Sequence, residues 1–161
     1  MFKKILVPLD GSDLAAQILP QVETLAKQFK AQVTLLAVGS SDTCPSGGAP
    51  PEAIKEGAAC PEIPLARYLE QTTGKLRTQG VETTWVYKQG NPAKEIVAYA
   101  AGNAMDLIAI ASHGGGEIAW LLGSVAQKVI VHAPVAVLLW RVTEAKPPTL
   151  KDEMYYSLQT P

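Results

Sequence analysis

Short apolar runs alternate with segments of helical periodicity along most of this chain, and that alternation limits the folds open to it. The runs at residues 5–7, 32–38, 82–87, 105–110 and 134–140 are apolar or β-branched and have the length of strands. The segments between them place apolar side chains at helical spacing, with helices beginning near Leu14, Leu65, Pro92 and Ser124. The pattern predicts an α/β fold, an open five-stranded parallel sheet with helices on both faces.

Three segments depart from this regular pattern. Apolar positions continue at helical spacing on both sides of Pro20, so we expect a bend there and a helix that continues past it. Residues 40–64 are rich in proline and glycine and predict a long loop, which carries both cysteines, Cys44 and Cys60. We expect free thiols, with a reversible disulfide across the loop left open. Residues 144–161 lose the pattern and predict a tail after a single domain, residues 1–143.

Composition excludes several classes of protein. With 161 residues, 47% of them hydrophobic and 18% charged, the chain is large enough to bury a core without metals or disulfides. The net charge of −1 gives no general attraction to nucleic acid or to anionic membranes, and we expect neither as a partner. No apolar run has the length of a transmembrane helix or of a signal peptide, so we expect a cytoplasmic protein.

A glycine-rich segment joins the fourth strand to the fourth helix. Glycines let backbone N–H groups approach a ligand, and a helix start adds unpaired N–H donors and the positive end of a dipole. Ser124 and Gln127 have capping-box spacing at this helix start. Such a place attracts phosphate. The segment contains Ala111, Ser112, His113, Gly114, Gly115, Gly116, Gly123 and Ser124.

Asp10 follows the first strand, at the sheet edge where ligands of open α/β folds bind. The loops after strands one and four and the end of strand two are expected to meet at this edge. A carboxylate at this position is suited to contact a ligand. Capping of the first helix is an equally reasonable role for it.

The sequence offers little support for catalysis. No lysine precedes Ser124, so the Walker pattern of P-loop enzymes is absent. His113 has no cluster of metal-ligating residues at suitable spacing, and neither Ser112 nor Ser124 has a recognisable base. We therefore expect no catalytic residues and no metal ligands from the protein, with slow ATP hydrolysis as a weaker alternative.

Five motifs, taken in order, resemble the universal stress protein family. The resemblance extends over about residues 2–142 and implies a Rossmann-like fold similar to the adenine nucleotide alpha hydrolases. It also implies a homodimer through the last strand, Val135 to Val142, and, in one branch of the family, a bound adenine nucleotide. The motifs are Lys4 to Ser12 (KILVPLDGS), Gly90 to Ala93 (GNPA), Asp106 to Ile108 (DLI), Ser112 to Gly114 (SHG) and Gly123 to Val129 (GSVAQKV).

The resemblance also assigns roles to individual residues. Asp10 is similar to the carboxylate that contacts adenine or ribose, and Val38 to the residue whose main chain contacts the base. Gly114, Gly123, Ser124 and Val125 would hold phosphates. The full candidate nucleotide-binding set is Pro8, Leu9, Asp10, Ser12, Ala37, Val38, Ala111, Ser112, His113, Gly114, Gly115, Gly116, Gly123, Ser124, Val125 and Ala126.

Two departures from the family motif bear on the ligand. Ala111 occupies the first glycine position, and eight residues instead of nine separate Gly114 from Gly123. No lysine or arginine lies between residues 112 and 127, whereas Glu117 adds a negative charge. A triphosphate would need Mg²⁺ or the helix terminus alone, so AMP or cyclic AMP would bind more easily than ATP.

Two classes of function follow from these observations. The first is a small cytoplasmic stress-response module that binds ATP, AMP or cyclic AMP with little or no turnover. The second is a dimeric interaction protein of the same fold that binds no nucleotide, which the altered glycine spacing and Glu117 favour.

Overall fold

One sheet with parallel strands forms the centre of the molecule. The computed structural model describes residues 1–39, 54–55, 64–112 and 122–142. The strands are β1 (Lys4–Pro8), β2 (Gln32–Gly39), β3 (Ile54–Lys55), β4 (Thr83–Gln89), β5 (Leu107–Ala111) and β6 (Ala136–Trp140). Their order across the sheet is β3-β4-β2-β1-β5-β6. The five longer strands are parallel, which confirms the predicted fold class.

The helices cover both faces of this sheet. They are α1 (Asp13–Ala16), α2 (Leu19–Phe29), α3 (Pro64–Thr78), α4 (Pro92–Gly102) and α5 (Ser124–His132). Buried residues of α1, α2 and α3 join one hydrophobic core, and those of α4 and α5 join a second core on the opposite face. The central strand β1 contributes to both cores, because Ile5 and Val7 belong to the first and Leu6 to the second. All three side chains are fully buried, as expected for a continuous apolar run in a parallel sheet.

The prediction of one bent helix around Pro20 is wrong. The chain forms two helices, the four-residue α1 and then α2, separated by Gln17 and Ile18. Pro20 lies in the first turn of α2, where its missing N–H would have had no helical partner. Ile18 and Val22 are both fully buried, so the apolar stripe continues although the helix is interrupted.

The predicted loop over residues 40–64 contains a sixth strand. β3 is antiparallel to β4, with Ile54 opposite Tyr87 and Lys55 opposite Val86. A two-residue strand is too short to show periodicity in the sequence, which is why the pattern gave no sign of it. The remainder of that loop, including Cys44 and Cys60, lies outside the described residues, as does the predicted tail.

Asp106 connects β1 to β5 at the amino ends of the strands. Its carboxylate oxygen Oδ2 accepts hydrogen bonds from the backbone N–H groups of Lys3, at 2.7 Å, and Lys4, at 2.9 Å. These two bonds hold the pKa of the Asp106 carboxyl below its ordinary value of 3.8, because they favour the charged form. The register of the two central strands is thereby fixed on the side of the sheet away from the predicted site.

Candidate functional site

A cavity of about 290 Å³ opens at the carboxyl edge of the sheet. It lies where β1 has β2 on one side and β5 on the other, the topological switch point at which open α/β sheets bind ligands. Its volume is close to the lower end of the range of about 300–1,000 Å³ for small-molecule sites. The lining residues are Pro8, Leu9, Asp10, Ala15, Val38, Pro92, Ile96, Ile110, Ala111, Ser112, Gly123, Ser124, Val125 and Ala126.

Asp10 lines the cavity just after β1 and is held in place by Ser12. Its oxygen Oδ1 accepts hydrogen bonds from the Ser12 backbone N–H at 2.9 Å and from the Ser12 hydroxyl at 2.6 Å. The Ser12 hydroxyl oxygen also accepts a bond from the N–H of Ala15, at 3.2 Å, and caps α1. The sequence left open whether Asp10 caps the first helix. In the structure Ser12 is the cap, and it orients Asp10.

The N-terminus of α5 supplies backbone donors to the cavity. Ser124, Val125 and Ala126 are the first three residues of α5, and the part of the chain that the structure describes provides no acceptor for their N–H groups. All three residues line the cavity. The positive end of the helix dipole therefore faces the cavity, an arrangement that favours a bound anion.

One expectation about this helix start is wrong. Gly123, not Ser124, is the N-cap of α5, and the helix start has no side-chain capping bond, so the spacing of Ser124 and Gln127 does not produce a capping box. The Gly123 N–H donates to the Ser112 carbonyl at 2.9 Å. Helix capping therefore does not use the Ser124 hydroxyl.

The candidate nucleotide-binding residues fall into three groups in the structure. Ser12 and Ala37 are not among the lining residues, since Ser12 acts through Asp10 and Ala37 is fully buried in the first core. His113, Gly114, Gly115 and Gly116 lie outside the described residues. The remaining ten line one cavity: Pro8, Leu9, Asp10, Val38, Ala111, Ser112, Gly123, Ser124, Val125 and Ala126.

One wall of the cavity is apolar, and its residues were not predicted from the sequence. Pro92 and Ile96 belong to α4, whose N-cap Asn91 accepts a hydrogen bond from the Lys94 N–H at 3.2 Å. This helix follows directly on the carboxyl end of β4, so the rule that ligands bind at that edge could have pointed to its first turns. Ala15 and Ile110 complete the set of lining residues that were missed. Their apolar chemistry gave no signal beyond that of ordinary core positions.

The described lining of the cavity carries little charge, and that charge is negative. Among the described lining residues Asp10 carries the one formal charge, and none is lysine or arginine. The carboxylate also affects Tyr68 on α3: burial raises the pKa of the Tyr68 hydroxyl, and the charges of Asp10 and Asp13 raise it further.

Within residues 1–39, 64–112 and 122–142, no group of three histidine, cysteine or acidic residues is arranged to hold a metal ion. None of the described helices is long and apolar enough to cross a membrane.

Comparison with known proteins identifies a family that shares this architecture. The model of the universal stress protein family matches residues 1–141. Universal stress protein YxiE from Bacillus subtilis is 32% identical over 148 residues, which cover 88% of this chain and 100% of that protein.

Solved structures show the same fold at lower identity. A universal stress protein in complex with cAMP matches with a TM-score of 0.66 and 19% identity, covering 88% of this chain and 98% of that one. A universal stress protein from Archaeoglobus fulgidus in complex with dAMP matches with a TM-score of 0.60 and 21% identity, covering 86% and 97%. The chain therefore has the fold of these universal stress proteins.

Proposed function

The chain belongs to the universal stress protein family, and from this membership we propose that it binds an adenine nucleotide at the carboxyl edge of its sheet. In this proposal the protein is a small cytoplasmic stress-response module with little or no turnover. The complexes of related folds with cAMP and dAMP support the choice of ligand class.

One observation carries the proposal: a single cavity is lined both by a carboxylate and by the amide end of a helix. The N–H groups of Ser124, Val125 and Ala126 suit a phosphate, and the Asp10 carboxylate suits hydroxyl or amino donors of a ribose or base. Val38, at the end of β2, lines the same cavity and would offer its main chain to the base.

The charge of the cavity favours ligands with few phosphates. Because the described lining residues include no lysine or arginine, a triphosphate would depend on Mg²⁺ and on the helix terminus for its neutralisation. AMP and cyclic AMP need less neutralisation. We therefore expect both to bind more tightly than ATP without Mg²⁺. The described lining residues also offer no evident general base, so we rank slow ATP hydrolysis below simple binding.

We further propose that two copies pair through the last strand, Val135 to Val142. β6 is an edge strand and contains neither charge nor proline, the devices with which edge strands usually avoid pairing. Val131 and Ile130, near the end of α5, are 70% and 40% exposed and add apolar surface in the helix that precedes this strand.

Calorimetry with AMP, cyclic AMP and ATP, the last with and without Mg²⁺, tests the binding proposal. Asp10→Ala should weaken the binding of AMP at least tenfold, because it removes the carboxylate from the cavity. Asp13→Asn is the matched control, since it removes a nearby acidic charge that does not line the cavity. Failure of all three nucleotides to bind at millimolar concentration would overturn the proposal.

An interaction protein without a nucleotide is the second candidate, and Ala111 is the observation that favours it. Ala111 lines the cavity at the position where the nucleotide-binding branch of the family has glycine. Mass spectrometry of small molecules released from the purified, denatured protein separates the two candidates. A stoichiometric adenine nucleotide would count against the second, and an empty protein would count against the first.

A further inference from the structure

Ser112 is a junction between three parts of the molecule. It follows β5 directly, and its backbone N–H donates to the Trp140 carbonyl of β6 at 2.7 Å. Its own carbonyl accepts the Gly123 N–H at 2.9 Å, just before α5. Its hydroxyl oxygen accepts the Val142 N–H at 3.3 Å, just after β6. One residue therefore contacts the end of β6, the chain that follows β6 and the N-cap of α5.

Each of these bonds has a buried end at Ser112, whereas Gly123, Trp140 and Val142 are partly exposed. Ser112 is 2% exposed, and it also lines the cavity. Loss of a buried partner leaves a donor without an acceptor, so buried hydrogen bonds of this kind are costly to break. The Val142 N–H depends on the Ser112 hydroxyl for its bond, whereas the other two bonds use the Ser112 backbone and persist for any residue at this position.

We propose that Ser112 is a positioning residue that couples the end of β6 to the amide-lined end of the cavity. The Gly123 bond fixes the N-cap of α5. It therefore also fixes the orientation of the N–H groups of the residues that follow Gly123. The Val142 bond fixes the chain that leaves β6. Because both bonds end on the same buried residue, a displacement at one is transmitted to the other.

The effect of a bound anion on the far end of this coupling can be measured. This step rests on the proposed function, in which an anion binds at the first turn of α5. An anion there would favour the arrangement of Gly123 and Ser112 seen in the structure. By linkage it would then also stabilise the bond from Val142 to Ser112, although Val142 itself does not line the cavity.

Amide hydrogen exchange on the full chain, with and without AMP, tests the coupling. In Ser112→Ala the Val142 N–H loses its acceptor, and its exchange should accelerate about fivefold, the usual worth of one hydrogen bond. The proposal requires more: the Gly123 N–H, whose acceptor is untouched by the substitution, should also exchange about threefold to fivefold faster. Addition of AMP should slow Val142 exchange in the wild type and not in this variant.

Two further variants control for the loss of a buried hydroxyl. Ser112→Thr keeps the hydroxyl oxygen and should restore Gly123 exchange to within about twofold of the wild type. Thr73→Val removes a buried hydroxyl on α3 that makes no hydrogen bond within the described part of the chain, and it should leave both amides unchanged.

The possible results separate the coupling from the proposed function. Faster exchange at Val142 with no change at Gly123 would overturn the coupling and leave Ser112 as a local anchor of β6. If the wild type binds none of AMP, cyclic AMP and ATP, the proposed function fails, while the comparison of the two amides in the free protein still decides the coupling.

Discussion

Gly39 ends β2 at a point where the molecule has no room for a side chain. The Tyr87 hydroxyl occupies the position that a Cβ on Gly39 would take, and the ring atom Cζ would lie 2.9 Å from that Cβ. Tyr87 is buried in the first core and cannot swing into solvent. Gly39 does not have a positive φ, so its need for glycine comes from space and not from backbone conformation.

We predict that Gly39→Ala lowers the free energy of unfolding by about 1–3 kcal/mol, the usual cost of overpacking a core. Urea denaturation followed by circular dichroism measures the change. Gly74→Ala is the matched control: a Cβ there meets no atom within 4 Å, and alanine inside α3 should stabilise the protein by up to about 1 kcal/mol. In the Gly39→Ala background, Tyr87→Phe should recover part of the loss. Equal effects of the two glycine substitutions would contradict the steric explanation.

At the scale of secondary structure elements, the sequence was informative wherever a residue's role depends on its neighbours in the chain. The apolar run of β1 predicted full burial, and Asn91 with Pro92 predicted the start of α4, where Asn91 is indeed the cap. The prediction failed where contacts between residues distant in the chain decide the local structure. Ser124 has the sequence signature of a cap, but the Ser112 carbonyl holds Gly123 in that position instead.

In the candidate site, too, some residues could be predicted from the sequence and others could not. Asp10, Val38 and Ser124 could be predicted because they follow strands or begin a helix in recognisable motifs. Pro92 and Ile96 could be suspected only from the position of α4 after the carboxyl end of β4, since their apolar side chains look like those of core residues. The bond from Val142 to Ser112 joins residues 30 positions apart, and no local pattern encodes it.

The Asp106 carboxylate adds two hydrogen bonds to the pairing of β1 with β5, and their contribution to stability should depend on pH. The folded state lowers the pKa of the Asp106 carboxyl below 3.8, so its stabilising effect is complete above that value and is lost as the pH falls through the folded pKa. We predict that Asp106→Asn is less stable than the wild type at pH 7. The difference should shrink below about pH 3.8, because the wild type then loses the same charge.

Urea denaturation of both proteins at a series of pH values measures this difference. Glu70→Gln removes an equal charge from an exposed position on α3 and serves as the control. A difference between Asp106→Asn and the wild type that stays constant down to pH 2 would argue against a role for the carboxylate charge.

For the whole molecule, the proposed dimer can be tested at a single position of β6. The Trp140 carbonyl points towards β5, where it accepts the Ser112 N–H, so the backbone of the preceding residue, Leu139, points away from the sheet. Proline at Leu139 removes a donor that a partner strand needs and spares the bonds to β5. We predict that Leu139→Pro converts a dimer to a monomer with little change in circular dichroism, as measured by light scattering.

Leu138→Pro is the comparison that makes this result specific. The Leu138 backbone points towards β5, so proline there removes a bond within the sheet and should unfold the protein or lower its stability by about 3 kcal/mol or more. A Leu139→Pro variant that remains dimeric would show that the two copies pair elsewhere.

The two edges of the sheet are not equivalent. Beside β4 the short strand β3 already lies opposite Val86 and Tyr87, whereas within the described chain no strand lies beyond β6. A copy of the protein that joined through β6 would do so by a two-fold axis, with each copy using the same strand. In such a pair the outermost strand at each end is β3, whose two residues give an added strand little to pair with, so continued strand addition into a fibre is disfavoured.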